Sequence, residues 1–139
     1  VVEGNVIVGT DDAGIQTVGQ AIVRNNVVVN PGTYGLYSKA SQGFAPTELV
    51  FANNTVLLEG GGSSQACVRT NDWEGTATGL VVANNALYCE GSVALRMNGG
   101  DAHATVANNA GAGSADVAAG FTATGSAEAD LEYWAIGLR

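Results

Sequence analysis

Positive charge is scarce in this sequence, and long apolar runs are missing. Lys and Arg together number 5 against 13 Asp and Glu, which gives a formal net charge of −8 at pH 7. A chain of this charge repels nucleic acid and anionic membranes unless its basic residues are clustered. No apolar run is long enough to cross a bilayer. We therefore expect neither a nucleic-acid partner nor a membrane span.

Strong helix formers and a helical apolar period are missing as well. Charged residues make up 13% of the 139, Gly numbers 20, and Val, Ala, Asn and Thr recur throughout. This composition favours strands joined by many turns, so we predict an all-β chain. The sequence opens on Val1-Val2 in the middle of a strand pattern. That opening indicates a processed product or a segment of a longer parent chain.

A degenerate repeat organises the sequence. An apolar strand, an asparagine pair and a second apolar strand occur at residues 23–28, 51–56, 82–87 and 106–111, and a fifth copy at 2–7 carries Gly4 in place of the first Asn. The second asparagines are Asn5, Asn26, Asn54, Asn85 and Asn109. They lie 21 (26 − 5), 28 (54 − 26), 31 (85 − 54) and 24 (109 − 85) residues apart. A further strand follows each of the first four bends, at 14–17, 35–38, 67–70 and 94–97.

Such repeats predict stacked coils. One coil cannot bury its apolar side alone, so neighbours must stack about 4.8 Å apart through backbone hydrogen bonds. Inward asparagines at the same bend can donate and accept along the stack as a ladder, because leaving such a group unpaired costs about 1–3 kcal/mol. Leucine-rich repeats also carry asparagine ladders, but this chain has small and β-branched residues where their leucines belong.

The V-x-N-N-x-[VL] run, followed by Gly or Ala before another strand, resembles the right-handed parallel β-helix proteins of the pectate-lyase-like class. The resemblance covers roughly residues 1–120 and implies about four to five coils. It leaves residues 121–139 as a C-terminal cap or flap. It also implies a secreted or cell-surface protein acting on acidic sugars. Fold alone does not select a function within that class.

Aligning the further strands brings several polar side chains into one outward column. If the neighbouring apolar residues point inward, Gln16, Tyr37, Arg69 and Arg96 point outward, with Lys39 two residues beyond Tyr37. We call Tyr37, Lys39, Arg69 and Arg96 the basic stripe. Asp72 and Trp73 lie just beyond it, and either Tyr37 or Trp73 is predicted to pack on a sugar face. The alternative interpretation is a row of solvated strand residues paired with acids.

Two functions follow from the basic stripe. The first is a non-catalytic extracellular module that binds acidic polysaccharide or forms a surface structure, with no cofactor. The second is a polysaccharide lyase, or part of one, in which the resemblance implies an Arg or Lys base and Ca²⁺. Glycoside hydrolysis is disfavoured because Asp11-Asp12 match only a fragment of the carboxylate set of that class.

Two further features bear on covalent and oligomeric structure. Cys67 and Cys89 lie in successive coils, so a disulfide between them is predicted. The strands beside the asparagine pairs are apolar on both faces, and their outward columns include Val50 and Val81. A continuous apolar exterior indicates a covered surface, with either the tail or another copy of the chain as its cover.

Overall fold

The computed structural model describes residues 1–73, 77–98, 102–116 and 120–124. These residues form strands and turns without any helix, so the all-β prediction is confirmed for the described part of the chain. In chain order the strands are β1 (Val2–Glu3), β2 (Val6–Val8), β3 (Ile15–Thr17), β4 (Ala21–Arg24), β5 (Val27–Val29), β6 (Tyr34–Ser38), β7 (Leu49–Ala52), β8 (Thr55–Leu57), β9 (Ala66–Thr70), β10 (Leu80–Ala83), β11 (Ala86–Met97), β12 (Ala104–Ala107), β13 (Asn109–Ala115) and β14 (Phe121–Ala123).

The strands form two parallel sheets. The smaller sheet has five strands in the order β1-β4-β7-β10-β12. The larger has nine, in the order β2-β5-β8-β11-β9-β6-β3, with β13 and β14 joined beside β11. The larger sheet curls because the 12-residue β11 pairs with β8 through its first half and with β9 through its second half. The sequence predicted two separate strands in the region that β11 spans as one continuous strand.

Neighbouring repeats pair with equivalent residues side by side. In the smaller sheet, Val23 pairs with both Val2 and Phe51, and Val82 pairs with both Phe51 and Val106. The side chains of Val23, Phe51 and Val82 are fully buried. In the larger sheet the inward column is Ile7, Val28, Val56 and Leu87. The columns face each other as one apolar core.

The first residue of each asparagine pair has a conformational role. Asn25, Asn53, Asn84 and Asn108 all adopt a left-handed backbone, with φ between 55° and 56°. Asparagine tolerates this conformation better than other residues with a side chain, and glycine tolerates it best. Gly4, with φ 70°, holds the same position in the first repeat. The left-handed residue turns the chain from one sheet into the other.

The second residue of each pair forms a continuous chain of hydrogen bonds. The amide nitrogen Nδ2 of Asn5, Asn26, Asn54 and Asn85 donates to Oδ1 of the next repeat's asparagine at 2.9, 2.9, 3.0 and 2.9 Å. The backbone N–H of each donor residue donates a second hydrogen bond to the same Oδ1 oxygen. The last four members are buried. The ladder therefore satisfies polar groups that the bends remove from the sheets.

Cys67 of β9 and Cys89 of β11 are joined by a disulfide, with their Cα atoms 5.9 Å apart. Both residues are fully buried. The bond closes a loop with a sequence separation of 22 residues. It thus links two of the strands of the curled sheet.

Reducing this disulfide is expected to lower the free energy of unfolding by about 3 kcal/mol, because a loop of this length restricts the unfolded chain. Guanidinium denaturation with and without reductant measures the change. A Cys67→Ala/Cys89→Ala variant is the control, and its midpoint should not respond to reductant. An unchanged midpoint in protein whose two thiols are shown to be free would contradict the expectation.

The exposed apolar side chains concentrate at the first repeat. Val1, Val6 and Val8 are each about two-thirds or more exposed, whereas Val50 and Val81 in the middle repeats are partly buried within the single chain. Phe121–Ala123, the start of the predicted tail, forms β14 and pairs in parallel with β13. The remainder of that tail, 125–139, lies outside the described residues, so its predicted role as a cover stays a prediction.

Candidate functional site

The outward column of the larger sheet runs through β3, β6, β9 and β11. Gln16 pairs with Tyr37, Tyr37 with Arg69, and Arg69 with Arg96, each in direct register. In all four strands the residues before and after this column are buried. Alternation along the strands therefore places the four side chains on the outer face of the sheet.

Arg69 lies at the centre of a polar and aromatic cluster. Its guanidinium carbon is 4.8 Å from the ring centroid of Tyr34, and its Nη1 donates to the hydroxyl of the same tyrosine. Its Nε donates to Oδ1 of Asn71 at 3.2 Å. These contacts fix the guanidinium plane on the sheet surface and leave further N–H groups for a ligand.

Asn71 connects the cluster across three strands. Its Nδ2 donates to the Tyr37 hydroxyl at 3.0 Å, and its Oδ1 also accepts from Nδ2 of Asn98 at 2.8 Å. The rings of Tyr34 and Tyr37 lie with their centroids 4.9 Å apart. A network of this kind restricts the rotamers of its members, so the site is ordered before any ligand arrives.

The other two cations of the basic stripe flank this cluster. Arg96 Nη2 donates to the carbonyl of Ser63 at 2.8 Å, and its Nη1 donates to that of Ser64 at 3.4 Å. Arg96 is thereby tied to the Gly- and Ser-rich loop of residues 59–65. The ammonium of Lys39 lies 5.6 Å from the ring centroid of Tyr37, a cation–π contact.

None of these three cations has a carboxylate partner among the described residues. The one ion pair found there joins Arg24 Nε to Glu3 Oε2 at 2.5 Å, on the smaller sheet. The alternative interpretation described these residues as solvated strand residues paired with acids of the chain. Within the described part of the molecule, the side-chain hydrogen bonds of Arg69 and Arg96 go to neutral groups.

Asp72 is exposed, but its carboxylate accepts a hydrogen bond within the protein. Its Oδ2 accepts from the backbone N–H of Ala40 at 3.0 Å, and its own backbone has φ 61°. Asp72 therefore ties the connection after β9 to the connection after β6. It lies beside the basic stripe as a support for the turn.

The prediction that Trp73 packs on a sugar is wrong. Its side chain is fully buried and stacks on Phe51, with ring centroids 6.1 Å apart. Its indole N–H donates to Oγ of Ser38 at 2.9 Å. The left-handed residue before it, Asp72, redirects the chain, so that Trp73 enters the core and leaves the outer face.

Sequence reasoning missed three residues of the cluster: Tyr34, Asn71 and Asn98. Asn71 lies just beyond the predicted strand at 67–70, and Tyr34 lies outside the aligned column, three positions before Tyr37. A signal for both was present in the sequence. Tyr34 and Asn71 lie within three residues of column members in successive repeats, where long side chains can meet across strands.

Metal ligands are not grouped in the described part of the chain. There, no three His, Cys, Asp or Glu side chains lie together in a way that could hold a metal ion. Asp101, beyond Arg96, lies outside the described residues. The described residues also contain no helix that is long and apolar enough to cross a membrane.

Comparison with known proteins found no matching family model, no matching curated protein and no matching solved structure.

Proposed function

We propose that this protein is an extracellular parallel β-helix module that binds an acidic polysaccharide along the basic stripe. One observation carries the proposal. In a chain of net charge −8, Arg69 and Arg96 lie in register on adjacent strands, and no described carboxylate pairs with them. Because the chain carries an excess of acidic residues, a row of cations that no described carboxylate pairs favours an anionic ligand from outside the protein.

The chemistry of the basic stripe fits carboxylate groups spaced along a polymer. A guanidinium donates up to five hydrogen bonds in a planar fork, and Arg69 uses two N–H groups within the protein. Adjacent strands lie about 4.8 Å apart, so the cations follow one another at the spacing of the strands. A polymer lying across the strands would meet the cations in succession.

A right-handed β-helix is the architecture that best accounts for the two parallel sheets. Each repeat contributes one strand to the smaller sheet, turns at its left-handed residue and continues into the larger sheet. A parallel pair needs a long crossover connection, and here the crossover is the rest of the coil. The small interior suits the Val-rich inward columns.

The disulfide supports a location outside the cytoplasm. Buried disulfides form and persist in oxidising compartments and are rare where thiols are kept reduced. Cys67 and Cys89 are fully buried and bonded, and no free cysteine remains in the chain. A secreted or surface-bound module would meet polysaccharides there.

Replacing Arg69 and Arg96 together with alanine is expected to weaken binding of polygalacturonate or alginate at least about tenfold, because charge-assisted hydrogen bonds are lost. Calorimetry at low salt measures the affinity, and the wild-type affinity should fall as salt rises. Arg24→Ala, which removes a cation already paired on the smaller sheet, should leave the affinity unchanged.

Absorbance measurements on the same mixtures of protein and polysaccharide separate binding from catalysis. Absorbance of unsaturated sugar products would assign the basic stripe to a lyase, the alternative function, and its absence together with tight binding favours a binding module. If neither polygalacturonate, alginate nor a glycosaminoglycan binds at low salt, the proposed function is wrong. Equal losses in the Arg24 variant and the double variant would also contradict it, since the effect would then be one of net charge.

A further inference from the structure

Phe44 is a large aromatic side chain that lies in solvent, 66% exposed, in the connection between β6 and β7. The turn that carries Phe44 is tightly built. Ser41 and Phe44 exchange two backbone hydrogen bonds, at 3.1 and 2.9 Å. The two residues between them, Gln42 and Gly43, have φ 51° and 82°, as in a type I′ turn. The ring is therefore presented on a rigid support.

The turn lies where the strands of the basic stripe end. The backbone N–H of Ala40, which precedes the turn, donates to Asp72, three residues beyond Arg69 in the sequence. On its other side the turn lies against the first repeat, since a Cβ built on Gly19 would lie 4.0 Å from the Cβ of Phe44. Val18, beside Gly19, is 39% exposed. Phe44 and the partly exposed Val18 thus both lie near the end of the basic stripe.

Cations alone do not distinguish one polyanion from another. The face of an aromatic ring carries partial negative charge and attracts the slightly positive C–H groups of a flat apolar surface, such as one face of a pyranose ring. Phosphate chains have no such surface. A polymer that carries both carboxylates and C–H faces can use the basic stripe and Phe44 together.

We infer that Phe44 stacks on a sugar ring of the polymer held by the basic stripe, and so selects acidic pyranose glycans over other polyanions. This inference rests on the proposed function. It replaces the buried Trp73 with Phe44 as the aromatic contact. It also explains why an apolar ring is held in solvent by a turn with a non-glycine residue, Gln42, in the left-handed region.

The test is calorimetric titration of oligogalacturonate and of inorganic polyphosphate into the wild type and Phe44→Ala. Oligogalacturonate affinity should fall about three- to tenfold in the variant, the range expected for one lost aromatic contact, and polyphosphate affinity should not change. Phe44→Trp should keep or raise the oligogalacturonate affinity. Val8→Ala, at an exposed apolar residue of the first repeat, should leave both affinities unchanged.

Other outcomes separate the inference from the proposed function. If Phe44→Ala binds oligogalacturonate like the wild type, while the Arg69 and Arg96 double variant does not, the inference is wrong and the proposed function stands. An equal loss for oligogalacturonate and polyphosphate shows a structural effect and overturns the inference. A loss in Phe44→Ala without a loss in the double variant rules out a shared site. Wild-type protein that binds neither oligogalacturonate, alginate nor a glycosaminoglycan at low salt overturns both.

Discussion

Trp73→Ala is expected to lower the free energy of unfolding by about 3–5 kcal/mol, the range for removing a large aromatic side chain from a core. The indole is fully buried, stacks on Phe51 and donates its N–H to Ser38 at 2.9 Å. Truncation leaves a cavity between the two sheets and a buried hydroxyl without its donor. Urea denaturation followed by circular dichroism measures the loss.

Trp73→Phe is the matched variant. It keeps an apolar ring against Phe51 and removes the N–H group, so a smaller loss of about 1–3 kcal/mol is expected from the unsatisfied Ser38 hydroxyl and the missing volume. Phe44→Ala, at an exposed ring, should change stability by less than about 0.5 kcal/mol. If Trp73→Ala is as mild as Phe44→Ala, the indole is on the surface after all.

Trp73 also shows where prediction from sequence stops. Alternation predicts side-chain direction only while the strand continues, and β9 ends at Thr70. Beyond it the direction depends on the backbone of the turn, and Asp72 adopts a left-handed conformation that no period in the sequence encodes. The same limit applies to β11, where two predicted strands run together as one.

Within the strands, the register between repeats was predicted correctly from the sequence. The asparagine pairs mark equivalent positions, so aligning them aligned Val23 with Phe51 and Val82, which pair in the structure. Gln16, Tyr37 and Arg96 each lie 11 residues after the second asparagine of their repeat (16 − 5, 37 − 26, 96 − 85). Arg69 lies 15 residues after Asn54 (69 − 54), and the longer Gly-rich loop accounts for the difference. A repeat with a fixed bend and a period of two determines both register and face.

The contacts of the basic stripe were less accessible to sequence reasoning. Which hydroxyl meets the guanidinium of Arg69 depends on rotamers and on lateral offsets between strands. Tyr34 reaches Arg69 although it pairs in register with Ala66. Asn98 reaches Asn71 because the backbone N–H of Asn98, just after β11, donates to the carbonyl of Thr70 at the end of β9 at 2.9 Å. Such contacts follow from three-dimensional proximity, so they can be read only once the strands are placed.

Asn54→Ala should lower the free energy of unfolding by about 2–4 kcal/mol, since several buried groups lose their partners together. Oδ1 of Asn54 accepts from both the backbone N–H and Nδ2 of Asn26, and its own Nδ2 donates to the Val23 carbonyl and to Asn85. The residue is about 1% exposed, so water does not replace these bonds. Chemical denaturation at equilibrium measures the loss.

Asn5→Ala is the control at the end of the same ladder. Asn5 is exposed, and its side chain donates to the Glu3 carbonyl and to Asn26 without accepting from another ladder asparagine among the described residues. Water can satisfy the groups that it leaves, so a loss below about 1 kcal/mol is expected. The difference between the two variants therefore measures the buried part of the ladder. Equal denaturation midpoints for Asn54→Ala and the parent protein would show that the bends do not depend on these hydrogen bonds.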